Sequence, residues 1–97
     1  MTTIELTRFR VRPEQEAAFL AARPAMIADF ASDREGFVDA ALVRLPDGEW
    51  LDVVTWQEAR HLDASRAKGA NLPGIAAFFA AIDSLVAAEQ GELADGP

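Results

Sequence analysis

The residues best suited to chemistry lie in a short segment in which Trp50, Asp52 and Trp56 recur at even spacing. Side chains alternate between the two faces of a β-strand, so these three would share one face. Apolar surroundings raise the pKa of a carboxyl, and an aspartate tuned in this way could accept a proton from a phenol or an enol. Asp52 is therefore a candidate catalytic base, and Trp50 and Trp56 are candidate substrate-binding residues.

Arg44 adds a cation to the same face and is a further candidate substrate-binding residue. The hairpin predicted below places it opposite Trp50 and diagonal to Asp52. A second interpretation assigns both tryptophans to the hydrophobic core and pairs Arg44 with Asp52 as a cross-strand ion pair. The sequence leaves both interpretations open.

The only histidine, His61, follows soon after Trp56. Histidine is the side chain whose ordinary pKa lies nearest neutrality, so His61 is a second candidate catalytic residue, as a general base or an axial haem ligand. The alternative is a solvated helix residue, because Arg60 and Asp63 flank it. No group of carboxylates and histidines has the spacing of a metal site, so we expect no metal.

Composition restricts the function classes open to this chain. Its 97 residues include 9 basic and 16 acidic side chains, for a net charge of −7. An acidic protein repels phosphate groups, which argues against nucleic acid and anionic membranes as partners. The absence of cysteine excludes a thiolate nucleophile. The N-terminus lacks a secretory pattern and no apolar run reaches membrane-spanning length, so we predict a single cytoplasmic, soluble domain, 1–97.

A β-hairpin within residues 36–56 would position the candidate side chains. Two runs of strand formers flank a turn in which Pro46 favours the second position and Gly48 can adopt positive φ. We predict a type I turn followed by a bulge, with Leu45 paired to Glu49. This register aligns Arg44 with Trp50, Leu42 with Asp52, Ala40 with Val54 and Val38 with Trp56.

The rest of the chain supplies elements in an order typical of the ferredoxin-like fold. Residues 4–11 form a strand, and a helix then begins at Pro13 and continues through Pro24, which should bend it. Two helical segments follow the hairpin, separated by a break at 68–74 that either flexes to admit a ligand or lets the helices wrap the sheet. Residues 85–93 form either a fourth strand or an extension of the last helix, before an expected disordered tail, 94–97.

The element order predicts an α+β domain, βαββαβ, with an antiparallel four-stranded sheet. Helices in this fold cover one face of the sheet. Both faces of the predicted hairpin are substantially apolar, so the second face needs another cover. A second copy of the chain is the simplest cover, and we predict a homodimer.

Several short stretches also carry a resemblance to a known family: Phe9-Arg10-Val11-Arg12-Pro13-Glu14, Glu35-Gly36-Phe37, Val53-Val54-Thr55-Trp56 and the following Gln57-Glu58-Ala59. They resemble the antibiotic-biosynthesis-monooxygenase-like group of dimeric α+β barrels. The resemblance implies a homodimer whose sheets pack face to face. It also favours a strand, and not an extension of the last helix, for residues 85–93. Some members oxidise phenols to quinones with O₂ and no cofactor, and others degrade haem. The quinone-forming members have an asparagine where this chain has Asp52.

Two hypotheses follow from the residues and the resemblance together. The first is a dimeric barrel that binds a small molecule and acts as a cofactor-independent monooxygenase on an aromatic or enolisable substrate. The second is a non-catalytic dimer that binds a ligand or has a purely structural role. A formed cavity lined by Trp56, Asp52 and His61 would favour the first hypothesis, and a closed core there would favour the second.

Overall fold

The computed structural model describes residues 1–96, and Pro97, the end of the predicted tail, lies outside the described residues. These 96 residues form four strands and three α-helices. In chain order they are β1 (Thr3–Arg10), α1 (Glu16–Asp33), β2 (Phe37–Arg44), β3 (Glu49–Trp56), α2 (Ala59–Lys68), α3 (Pro73–Ala80) and β4 (Ser84–Glu92). The strands form one sheet in the order β2-β3-β1-β4, with every neighbouring pair antiparallel. The predicted ferredoxin-like fold is confirmed, and residues 84–92 are a strand.

The hairpin keeps the predicted register along most of its length. Arg44 lies opposite Trp50, Leu42 opposite Asp52 and Ala40 opposite Val54. The pairing of Val38 with Trp56 is wrong, because the register shifts between Phe37 and Asp39 and brings Phe37 opposite Trp56. One extra residue on a strand makes such a bulge, which a strict two-residue period does not anticipate.

The hairpin turn also differs from the prediction. A type I turn requires negative φ at its third residue. Asp47 instead has φ 63° and ψ 32°, in the left-handed region that aspartate tolerates better than most residues, and Gly48 follows with φ 75°. The turn still closes as expected, with the Leu45 amide donating to the Glu49 carbonyl at 2.9 Å.

The three helices cover one face of the sheet and bury the main core against it. The core joins sheet residues Phe9 and Trp50 to helix residues Phe19, Ile75 and Phe78. Phe19 and Phe78 have ring centroids 4.6 Å apart, and Phe9 meets Phe19 edge-on at 5.6 Å. α1 runs through Pro24 without interruption, and the bend expected there stays a prediction. Among residues 1–96, no helix combines the length and apolar character needed to cross a membrane.

Within residues 1–96, no helix lies over the opposite face of the sheet. Its central part, which we call the open face, consists of Leu6 beside Val53 and Val43 beside Leu51. None of these four side chains is buried, and Val43 is 41% exposed. The uncovered apolar face that the sequence predicted is therefore present in the single chain.

Candidate functional site

A cavity of about 290 Å³ lies between the helix-covered face of the sheet and the three helices. Its apolar lining includes Phe30 from α1, Phe37 and Val54 from the hairpin, and Phe78 and Phe79 from α3. Phe30 and Phe37 stack with centroids 5.8 Å apart and an interplanar angle of 20°. These rings give the cavity flat apolar walls that suit an aromatic molecule.

Asp52 lines this cavity, as its place in the hairpin register suggested, but its partner is not Arg44. Arg23 from α1 donates from both terminal nitrogens to the two carboxylate oxygens of Asp52, at 2.9 and 3.0 Å. Both side chains are nearly buried. The bidentate geometry matches a planar guanidinium to a planar carboxylate, so both oxygens of Asp52 already accept strong hydrogen bonds.

Arg44 lies outside the cavity lining, and the predicted Arg44–Asp52 ion pair is wrong. Its guanidinium carbon stands 4.3 Å from the ring centroid of Trp50, in a cation–π contact, and it pairs with Glu16 at the start of α1. The cross-strand position of Arg44 was correct, but Glu16 of α1 supplies its anion, while Trp50 opposite it on β3 supplies the aromatic face. Trp50 is 3% exposed and belongs to the core, and it too lies outside the described cavity lining.

Glu5 is the functional candidate that sequence reasoning missed. It lines the cavity from β1, opposite Val54, and its Oε1 accepts a hydrogen bond from Trp56 Nε1 at 3.1 Å. Burial raises the pKa of Glu5 above its ordinary value of 4.5, and the nearby charge of Asp52 adds to that rise. The Trp56 hydrogen bond and the charge of Arg66 oppose it but do not cancel it.

The alternation of side chains along β1 could have identified Glu5. Glu5, Thr7 and Phe9 alternate along β1, so a carboxyl shares the inward face with a core phenylalanine. Trp56 is 1% exposed and is not part of the cavity lining described for residues 1–96. Its contribution to the site is the hydrogen bond that orients Glu5.

Arg34 organises the side of the cavity formed by α2 and the break that follows it. Its side chain is 2% exposed and donates to Ser65 Oγ at 2.8 Å, to the Gly69 carbonyl at 2.6 Å and to Asn71 Oδ1 at 2.8 Å. Asp33 supplies the counter-charge at 2.6 Å. The break between α2 and α3 is therefore tied to the end of α1 by buried hydrogen bonds.

His61 lies apart from this cavity. It is 5% exposed and packs against Gly36, whose positive φ of 80° and lack of a side chain leave room for the imidazole ring. Its Nε2 lies 3.9 Å from Glu35, and its Nδ1 has no hydrogen-bond partner within residues 1–96. The expectation of a solvated helix residue is wrong, and the catalytic role stays a prediction without a place on the cavity wall.

The cavity therefore combines an aromatic interior with one carboxyl whose pKa is raised and a second carboxyl held by an arginine. Glu5 is suited to accept a proton, because the raised pKa makes its ionised form a stronger base. Burial is the main cause of that raised pKa, and the negative charge of Asp52 adds to it. Among residues 1–96, no group of carboxylates and histidines could hold a metal ion.

Comparisons with known proteins agree with this architecture. The solved structure of a variant of SnoaB, a cofactor-independent oxygenase from Streptomyces nogalater, matches with a TM-score of 0.74 and 22% identity, over 98% of this chain and 95% of that one. A second solved structure of SnoaB gives a TM-score of 0.66 and 25% identity, over 93% of this chain and 88% of that one. Rv0793 from Mycobacterium tuberculosis gives 0.72 and 23%, over 99% and 98%.

The curated proteins gave no match to this chain. The family model described as antibiotic biosynthesis monooxygenase matches residues 2–81, which is most of the chain. This match includes β1, where Glu5 lies, and the whole hairpin that carries Asp52. The chain belongs to the antibiotic biosynthesis monooxygenase family.

Proposed function

We propose that this protein is a cofactor-independent monooxygenase that oxidises an aromatic or enolisable small molecule inside the cavity. The observation that carries the proposal is the raised pKa of Glu5 on the wall of an aromatic-lined cavity. Membership of the family supports the reaction class. The likeness to SnoaB, itself a cofactor-independent oxygenase, supports it further.

In the proposed reaction, Glu5 accepts a proton from a phenol or from the carbon beside an enolisable carbonyl. The resulting anion is electron-rich enough to reduce O₂. One oxygen atom then becomes a carbonyl on the substrate, and the other leaves as water with the two displaced hydrogens. The substrate supplies all the electrons, so the reaction needs no external reductant.

The other polar residues of the site act through Glu5 in this proposal. The Trp56 indole fixes one oxygen of the Glu5 carboxylate, which leaves the other oxygen for the substrate proton. Burial raises the pKa of Glu5, the charge of Asp52 adds to that rise, and Arg23 holds the Asp52 carboxylate in place through two hydrogen bonds. A general base of this kind contributes about 100-fold or more to a proton-transfer step.

We further propose that the active form is a homodimer and that it works in the cytoplasm. The open face supports the dimer, because four partly exposed apolar side chains lie together on a sheet without a helix over them. A sheet-to-sheet contact between two copies would cover both open faces at once. The acidic, cysteine-free composition supports the location.

Oxygen consumption with anthrone as the substrate tests the proposed reaction. We expect chelator-treated protein to consume O₂, to form anthraquinone and to place an oxygen atom from labelled O₂ in the new carbonyl. Glu5→Gln should lower the rate about 100-fold, since glutamine cannot accept the proton. Glu14→Gln, a matched change at an exposed carboxylate, should keep the wild-type rate. Equal rates in wild-type protein and Glu5→Gln would contradict the role of Glu5.

A further inference from the structure

We propose that Ser65 is a further catalytic residue, which donates a hydrogen bond to the substrate oxygen that becomes negatively charged when Glu5 removes a proton. Arg34 acts through Ser65 as a positioning residue. This inference rests on the proposed proton-transfer reaction and deepens it, because a base alone does not stabilise the anion that it creates.

Ser65 reaches the cavity from α2. It belongs to the cavity lining and is only 7% exposed, so its hydroxyl is shielded from most of the solvent. A terminal nitrogen of Arg66, the next residue in the chain, lies 3.8 Å from Glu5 Oε2, so α2 stands close to β1 at this point. Ser65 and Glu5 therefore line neighbouring walls of the cavity, each supplied by a different element.

The Ser65 hydroxyl accepts one hydrogen bond and has its own proton left to donate. Its oxygen accepts from Arg34 Nε at 2.8 Å. A hydroxyl is a donor as well as an acceptor, and among residues 1–96 the Ser65 hydroxyl donates no hydrogen bond. Because a buried donor without an acceptor costs free energy, this proton should turn toward the cavity, where a ligand oxygen can accept it.

Arg34 fixes the Ser65 hydroxyl and makes it a stronger donor. The guanidinium also donates to the Gly69 carbonyl at 2.6 Å and to Asn71 Oδ1 at 2.8 Å, which leaves it little freedom to move. A charged donor on the Ser65 oxygen polarises the O–H bond, since hydrogen bonds in a chain strengthen one another inside a protein. The donor is thus in place before a ligand arrives, which is the condition for effective stabilisation of a developing charge.

Thr7 is the other hydroxyl of the described lining, and its surroundings suit this role less well. It lies on β1 directly opposite Asp52. The carboxylate of Asp52 would repel a negative charge that formed beside Thr7. Ser65 has a guanidinium behind it instead, so an anion is favoured on the α2 side of the cavity.

The role of Ser65 follows from the movement of electrons in the proton transfer. In a ketone, the electron pair of the broken C–H bond forms a carbon–carbon double bond, and the carbonyl pair moves onto oxygen. In a phenol, the electron pair of the broken O–H bond stays on oxygen. Either oxygen then accepts a stronger hydrogen bond from Ser65 than the neutral substrate did, and this difference lowers the barrier.

The steady-state kinetics of anthrone oxidation test the catalytic role. Ser65→Ala should lower kcat at least about tenfold and change KM less, because the lost hydrogen bond is strongest after the proton has left. Ser65→Cys keeps a side chain of similar size with a weak donor and should also be slow, so it replaces the alanine variant if that variant does not fold. Ser65→Thr retains the hydroxyl and should recover most of the rate. Ser84→Ala, which removes an exposed hydroxyl on β4, is the matched control and should keep the wild-type kcat.

The infrared spectrum of bound 1-tetralone, an enolisable aromatic ketone, identifies the donor. A hydrogen bond weakens a C=O bond, so the carbonyl band should lie at lower frequency in wild-type protein than in Ser65→Ala. Arg34→Lys keeps the charge but loses the planar fork, and its band should lie between the two. A merely structural role of Ser65 or Arg34 would lower the melting temperature of the variants without moving this band.

The outcomes separate this inference from the proposed function. Wild-type turnover with an unchanged kcat in Ser65→Ala, or a carbonyl band at the same frequency in both proteins, would overturn the inference and leave oxygenation through Glu5 standing. Failure of wild-type protein to oxidise anthrone would overturn the proposed function together with the catalytic role of Ser65. A carbonyl band that still depended on Ser65 in that case would identify Ser65 as a residue that binds ligand oxygen without catalysis.

Discussion

Asp52 illustrates how a correct position can accompany a wrong partner. Strand periodicity and turn length placed it on the inward face opposite Leu42, and the structure agrees. Its ion pair with Arg23 could not be predicted in the same way, because α1 reaches the sheet only through tertiary packing. Sequence patterns define neighbours within the hairpin, whereas the contacts that a helix makes across the core depend on its rotation and its height above the sheet.

The Arg23–Asp52 pair gives a prediction about stability. Asp52→Asn should lower the free energy of unfolding by on the order of 3 kcal/mol, because it leaves a nearly buried guanidinium without its counter-charge. Arg23→Met combined with Asp52→Leu should recover most of that loss. Chemical denaturation of the variants measures both values.

Arg44→Met is the control for the stability measurements on the Arg23 and Asp52 variants. Its side chain is 59% exposed, so the loss of its ion pair with Glu16 should change stability little. A loss from Arg44→Met as large as that from Asp52→Asn would contradict the pairing of Asp52 with Arg23.

Glu5 predicts a specific dependence of stability on pH. Because its pKa is raised by folding, the folded state binds more protons than the unfolded state above the ordinary value of 4.5. Stability from this group is fully present below that value and falls as the pH rises through the folded pKa. Glu5→Gln should therefore melt at a higher temperature than wild-type protein at neutral pH, and the difference should vanish in acid.

Asp33→Asn provides a control of opposite sign for the Glu5 experiment. Hydrogen bonds from Asn71, Lys68 and Arg34 lower the pKa of Asp33, so its contribution is present above the ordinary value of 3.8 and is lost as the pH falls. Asp33→Asn should melt at a lower temperature at neutral pH. A Glu5→Gln variant that also loses stability at neutral pH would contradict the raised pKa of Glu5, because it would show that burial is not the dominant influence on that pKa.

At the scale of elements, the order of strands and helices was predictable and the irregularities were not. Hydrophobic periodicity located β1, α1 and both strands of the hairpin. The bulge at Val38 and the left-handed Asp47 escaped prediction, because each departs from the regular geometry that the prediction assumed. The bulge brings Phe37 opposite Trp56, and Phe37 then lines the cavity.

The packing of α3 on α1 gives a prediction at Gly74. A Cβ at this position would lie 2.6 Å from the Ala25 carbonyl oxygen, and the Gly74 amide donates to Asp29 at 2.8 Å. Gly74→Ala should force the two helices apart and cost about 1–3 kcal/mol of stability.

Gly91→Ala is the matched control, since a Cβ there meets no atom of residues 1–96 within 4 Å. Denaturation should show it close to wild type or slightly more stable. Equal tolerance of alanine at both glycines would mean that α3 does not approach α1 as closely as the structure places it.

At the scale of the whole molecule, the fold and the uncovered sheet face followed from the sequence, but the cavity did not. The hairpin identified Asp52, yet Glu5, Arg34 and Arg66 come from three other elements that meet only in the folded chain. Propensity alone did not decide whether residues 85–93 form a strand or extend the last helix. In the structure β4 pairs with β1, and the sheet supplies the hydrogen bonds that a weak strand former needs.

The open face predicts the oligomeric state. Sedimentation at micromolar concentration should give twice the chain mass of 10.5 kDa. Val43→Glu should shift the protein to monomers, because it introduces a charge among the apolar side chains of the open face. Ala77→Glu, on an exposed position of α3, should stay dimeric. A wild-type protein that sediments as a monomer would contradict the dimer.

The central claim is that the cavity holds an aromatic ligand next to Glu5, and a crystal structure with anthraquinone tests it most directly. In crystals grown in acid, we expect the rings between the aromatic walls formed by Phe37 and Phe78, with a quinone oxygen accepting a hydrogen bond from the protonated Glu5 carboxyl. A cavity filled by side chains, or anthraquinone bound only outside it, would contradict the claim and favour the non-catalytic, structural dimer.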